Sequence, residues 1–196
     1  MKARGKSMPT LEYDLGYLQA ACSILGDYLL SADLYWSIGN SPRRGEPPYP
    51  SLTLGGVLLA QARAHARPAS GRLNEQIAQA DEQINAVRQR WRSAWGRKAA
   101  RDFHARLNLW RDFLEEYRQN PEANLDRYAY EVSRRVMSHL LESEAGEIPK
   151  AEIELLVGLD RLLRIVLIPG GFVWEKKLAP GFPQEVYWYL YGKLKG

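Results

Sequence analysis

The segment from Arg72 to Arg118 contains no proline, and apolar residues recur along it at helical spacing without a gap. They run Leu73, Ile77, Ala80, Ile84, Val87, Trp91, Trp95, Ala99, Phe103, Leu107, Trp110, Leu114 and Tyr117. A straight helix of this length would span roughly 70 Å at about 1.5 Å per residue. A compact domain of this size has a radius of gyration of only about 16 Å. The segment must therefore bend, break or serve two packing environments. Between Val87 and Leu107 every step is a four, and each advances the buried stripe by about 40° on a 3.6-residue helix. The stripe swings by roughly 200° in all, with Gly96 at its middle. The reading is one unusually long helix, kinked or bent near Gly96, with two packing environments.

The flanking segments read as helices as well. Thr10 is a candidate N-cap, and Leu11, Leu15, Leu18, Cys22, Leu25, Leu29, Ala32 and Trp36 form one apolar stripe, predicting a central first helix up to Gly39-Asn40-Ser41-Pro42. The proline-rich loop SPRRGEPPYP follows. Ser51 then caps a shorter second helix to about Ala66, and Pro68 to Gly71 breaks the chain. Asn120-Pro121 opens a fourth helix to about Ser143, the Asn as cap and the Pro in the first turn. Pro149 opens a fifth, with Ile153, Leu156, Leu159, Leu163 and Val166 inward, which Pro169-Gly170-Gly171 ends. Pro183 starts a short helix, PQEVYWYLYGKL. The expected fold is all-α, an irregular bundle of about five helices plus a short C-terminal one. Residues 1–9 read as a flexible basic leader and 10–196 as a single helical domain.

Several kinds of chemistry are disfavoured. The single Cys22 excludes an intrachain disulfide and a cysteine-cluster metal site, pointing to an intracellular chain. No signal-peptide core follows MKARGKSMPT, and no apolar run nears the ~20 residues of a membrane span. The expectation is a cytoplasmic protein with no membrane partner. None of His65, His104 and His139 follows an acid by three residues, so the Glu-x-x-His pairs of di-iron bundles are missing, as is HExxH. Gly55-Gly56 lacks the Lys-Ser/Thr of a phosphate loop and lies within a helix, where small residues allow close packing. No G-x-S-x-G elbow occurs, and Glu115-Glu116 lies amid solvated charge. The reading leans away from an enzyme, with no catalytic residues, metal or cofactor assigned.

What remains is a set of surfaces. Arg88 to Arg111, RQRWRSAWGRKAARDFHARLNLWR, carries eight basic residues and one acid, a local +7 against +4 for the whole chain. Trp91, Trp95, Phe103 and Trp110 fall on the apolar stripe, while Arg90, Arg97, Lys98 and Arg101 fall on the other side, where they could track phosphates. The competing reading pairs these arginines with acids on other helices. With 19 Arg to 8 Lys, arginine is favoured throughout this chain.

Arg43 and Arg44 in the proline loop, beside Tyr35, Trp36 and Tyr49, are candidate anion contacts. Tyr128, Glu131, Arg134, Arg135, Asp160, Arg161 and Arg164 have the spacing of interhelix ion pairs. The aromatic C-terminus is the candidate partner interface, through Trp174, Phe182, Tyr187, Trp188 and Tyr191, unless it covers the bundle's open groove. The function expected is a helical protein-interaction or scaffold module that self-associates through this segment. The alternative is a protein that binds the RNA or DNA backbone through the basic face of residues 88–111.

Overall fold

The computed structural model describes residues 8–196, so all but the last two residues of the expected basic leader lie outside the described part. Those two are part of the fold: Met8 packs against the core and the Pro9 carbonyl accepts a hydrogen bond from Arg67. Helix accounts for about two thirds of the described residues, accompanied by one two-stranded sheet.

The first helix is shorter than its apolar stripe predicts. α1 spans Leu11–Cys22, with the Thr10 side chain accepting from the Tyr13 amide, and α2 spans Leu25–Leu30. Between them Ser23 turns its hydroxyl onto the Ala20 carbonyl (2.8 Å), a local bond that competes with the helical ladder. From Ser31 to Thr53 the chain contains no helix, and Trp36 is in a bridge with Leu52. α3 spans Leu54–Ala66 and is capped by Thr53, two residues later than Ser51.

The long proline-free segment is two helices, α4 (Arg72–Arg90) and α5 (Arg92–Gln119). The interruption falls at Trp91 (φ −119°, ψ 36°), five residues before Gly96. Gly96 lies inside α5, where a side chain would come within 3.1 Å of the Gly146 backbone nitrogen. Its glycine identity thus permits close backbone approach, and Gly146 donates to the Gly96 carbonyl.

Asn120 caps α6 (Pro121–Asn124), which leads through a 3-10 turn into α7 (Tyr128–Glu142). α8 spans Lys150–Val166. α5 and α7 form the principal helix pair, and Phe103, Trp110, Leu114, Val132, Val136 and Leu141 are completely buried between and around them.

The C-terminal segment is not a helix. β1 (Leu167–Phe172) pairs antiparallel with β2 (Tyr191–Leu194), and Leu167 lies opposite Leu194. The register shifts between Pro169 and Phe172, so Gly170-Gly171 forms an irregularity within the ladder instead of ending the structure. Gly192 is required here, because a side chain would run into the Ile168 carbonyl. Between the strands, residues 173–190 pass over α3 and α7 in turns and 3-10 helix. Tyr128 Oη donates to the Tyr189 carbonyl (2.6 Å) and Tyr117 Oη to that of Lys195 (2.9 Å).

Phe182, Tyr189, Leu190 and Leu194 of this tail are buried. At about 1.5–3 kcal/mol per buried side chain they contribute roughly as much as the 5–15 kcal/mol that holds a typical domain folded. Truncation after Pro180 is expected to abolish cooperative thermal unfolding, measured by circular dichroism. A truncated chain that melts cooperatively near the full-length temperature would show the tail to be an appendage.

Candidate functional site

The basic segment is divided between the interior and the surface. Trp95 is buried and its Nε1 donates to Glu144, which also accepts from Arg88 (2.7 Å). Arg106 pairs with the buried Asp102 (2.9 Å), and Arg111 with its neighbour Asp112. Arg90 lies over the Trp91 ring at 5.3 Å. Arg90, Arg97 and Arg101 are exposed and have no acid partner among the described residues.

Lys98 belongs elsewhere. It is only 3% exposed, its Nζ donates to the carbonyls of Ser31 (2.9 Å) and Asp33 (2.7 Å), and it lies over the Tyr28 ring at 4.4 Å. Burial, then the nearby charge of Arg101, lowers its pKa. Lys98 is therefore a structural tether for the loop after α2, not a phosphate contact. It lies three residues after Trp95 and four before Asp102, on the edge of the stripe that enters the core; that spacing was the available signal.

Arg43 and Arg44 are exposed, and the Arg43 amide donates to Glu46 (3.1 Å). Arg43 lines a shallow depression of about 170 Å³ with Glu12, Gln19, Glu46, Tyr49 and Leu73, so it faces α1 and α4. Two carboxylates in this depression oppose an anion. Tyr49 packs edge-on against Tyr13 and Tyr17, and Tyr35 lies near Arg106. The five loop residues do not converge on one clamp.

A second shallow depression, of about 210 Å³, is lined by His65, Arg67, Asn74, Ile77 and Asp81. Asp81 is held by Gln61 and His65, both at 2.8 Å. His104 contacts Glu152 (2.7 Å) and Asn108, and His139 packs edge-on against Tyr187. Burial, then Arg135, lowers the pKa of His139. Among the described residues no three His, Cys, Asp or Glu side chains are grouped to hold a metal, and no helix is long and apolar enough to cross a membrane.

The ion-pair spacing on α7 and α8 produces ion pairs. Arg135 forms a two-pronged contact with Asp160 (2.8 Å each), and Glu131 is bound by Arg127 and Arg134. Arg135 also covers the Tyr189 ring at 4.6 Å. Tyr189 Oη is buried without a hydrogen-bond partner among the described residues, and burial pushes its pKa well above the ordinary phenol range.

The tail aromatics chiefly build the core. Phe182 is fully buried, and Trp174 is buried with its Nε1 donating to the Ala129 carbonyl (2.8 Å). Tyr187, Trp188 and Tyr191 are half-buried. Tyr191 Oη donates to the Phe182 carbonyl, and Trp188 lies beneath Arg164 at 3.8 Å. Trp174 and Phe182 thus form no accessible interface in this fold; the tail covers the groove.

The surface that remains is the outer face of α8. Leu156, Leu159 and Leu163 bury its inner side. Glu154, Val157, Gly158, Arg161 and Ile165 are exposed on the opposite side, at spacings of three and four. Val157 is 44% exposed, Ile165 67% and Ile168, at the start of β1, 40%. These three are among only seven large apolar side chains exposed in the described residues. Single exposed apolar residues are ordinary, but Val157 and Ile165 share one helix face, with Ile168 just beyond its end. The signal in the sequence was the apolar residues of 150–168 that the inward stripe does not use.

No protein-family model matches this chain, and no curated protein or solved structure matches it either.

Proposed function

We propose that this protein is a non-catalytic helical interaction module whose partner surface is the outer face of α8 and the start of β1. The observation that carries the reading is the exposure of Val157 and Ile165 on that one helix face, with exposed Ile168 following at the start of β1. Covering such side chains stabilises a complex by about 1.5–3 kcal/mol each before the costs of association. Glu154 precedes them and Arg161 lies between Val157 and Ile165, and the two charges orient a partner. The aromatic tail serves this surface indirectly, since Trp188 supports Arg164 of α8. A photo-crosslinking amino acid at Val157 or Ile165 is expected to give a discrete protein adduct in the source cell. The same probe at exposed Glu82 of α4 is the control. No adduct from α8, or identical adducts from both sites, would contradict the reading.

A second reading, binding to a nucleic-acid backbone, is favoured by one observation: Arg90, Arg97 and Arg101 are exposed and have no acid partner among the described residues. If each neutralises one phosphate, log affinity falls with log salt at a slope between about −2 and −3. Replacing Arg97 and Arg101 with Ala should remove about two units of that slope, equally for all base sequences. Folding should change by no more than about 0.5 kcal/mol, whereas Lys98→Ala should lower the melting temperature. A gel-shift titration at two salt concentrations beside melting curves measures both. Absence of binding at low salt would remove this reading.

A further inference from the structure

We infer that the occupant of the α8 face is a second copy of this chain, with the two α8 helices antiparallel about a two-fold axis between Val157 and Gly158. The inference rests on the reading of that face as a partner surface. It comes from the order of charges along the exposed stripe. Glu154 and Arg161 lie at equal distances, about 5 Å at 1.5 Å per residue, on opposite sides of the midpoint of Val157 and Gly158. Both are exposed, and Arg161 has no acid partner among the described residues. Glu154 has only an exposed pair with Lys150 at 3.4 Å, a contact of little energetic weight.

A two-fold antiparallel pairing places Glu154 opposite the partner's Arg161, and Arg161 opposite the partner's Glu154. A two-fold interface is self-complementary in this way by definition. Parallel pairing would instead set Glu154 against Glu154 and Arg161 against Arg161, so the charge order selects one orientation.

The shapes agree with the charges. Val157 comes opposite the partner's Gly158, which is exposed and where an added side chain would meet nothing within 4 Å. A missing side chain facing a β-branched one lets the helices approach closely. Ile165 falls over the stem of the partner's Lys150, whose four methylenes cover apolar surface while the charge stays in water. A helix pair of this length buries less than the roughly 1,200–2,000 Å² of stable interfaces. The dimer is therefore weak and concentration-dependent.

The test is sedimentation velocity of the full chain over a dilution series. Wild type should shift from monomer towards dimer as concentration rises. Glu154→Arg and Arg161→Glu, each at an exposed position, should each weaken association by more than about tenfold, because like charges then face each other. Mixing the two variants should restore association as a heterodimer, since one copy then presents Arg at 154 and 161 and the other Glu at both. That recovery also shows that both variants fold. A wild type that stays monomeric throughout overturns the second copy; a heteroprotein adduct from Val157 would still uphold the α8 surface. A dimer indifferent to both variants, or a mixture that fails to associate, overturns the antiparallel pairing.

Discussion

The carboxylate of Asp102 ties the start of α3 to α5, and α7 packs against both helices. Asp102 is completely buried in α5. One oxygen accepts from the Gly55 amide at the start of α3 (2.6 Å) and the other from Arg106 Nε (2.9 Å). Arg106 also donates to the Thr53 hydroxyl (2.9 Å), which accepts from the Gly56 amide. A helix start has unpaired amides and partial positive charge, so a buried carboxylate there is stabilised by both. The approach needs glycine. A side chain at Gly55 would lie 3.0 Å from the Asp102 carboxylate and 3.1–3.3 Å from Leu141 and Met137 of α7. Lys98, one turn earlier, holds the Ser31 and Asp33 carbonyls. Lys98, Asp102 and Arg106 thus form a polar ladder at intervals of four along α5, which holds Ser31, Asp33, Thr53 and Gly55.

Features set by local chemistry were legible in the sequence. Thr10, Asn120-Pro121 and Pro149 mark helix starts because capping and proline geometry act within a few residues. The inward stripes of α5 and α8 were legible for a similar reason, since helical spacing alone aligns them. The end of α1 was not, because its apolar pattern continues through Ser23 to Trp36. What stops it is a side-chain bond and the bridge from Trp36 to Leu52, a partner fixed only by the tertiary fold. The interruption of the long segment at Trp91 rather than Gly96 has a comparable origin. The stripe shows that two environments are needed, while Gly96 lies within α5 and its missing side chain lets the Gly146 backbone approach.

The tail misleads for a further reason. Pro169-Gly170-Gly171 has the composition of a break, and a ladder irregularity accommodates it. Strand pairing between Leu167 and Leu194 joins segments far apart in sequence, so neither strand declares itself alone. The candidate surfaces show the same division. Arg97 and Lys98 are adjacent and equally basic, yet one is exposed and the other buried, because the loop after α2 docks on one side of α5 only. The aromatic residues were legible as a cluster, but their burial depends on α3 and α7 lying beneath them. The α8 face was legible in principle, since Val157 and Ile165 fall outside that helix's inward stripe.

One buried carboxylate thus sets how the helices meet. Equilibrium denaturation of Asp102→Ala beside wild type tests it most directly. Breaking a buried pair by removing one partner typically costs about 3–5 kcal/mol, and the Gly55 amide loses its acceptor as well. A loss of that size in the free energy of unfolding is expected. A variant within about 0.5 kcal/mol of wild type, the range of an ordinary surface substitution, would contradict it.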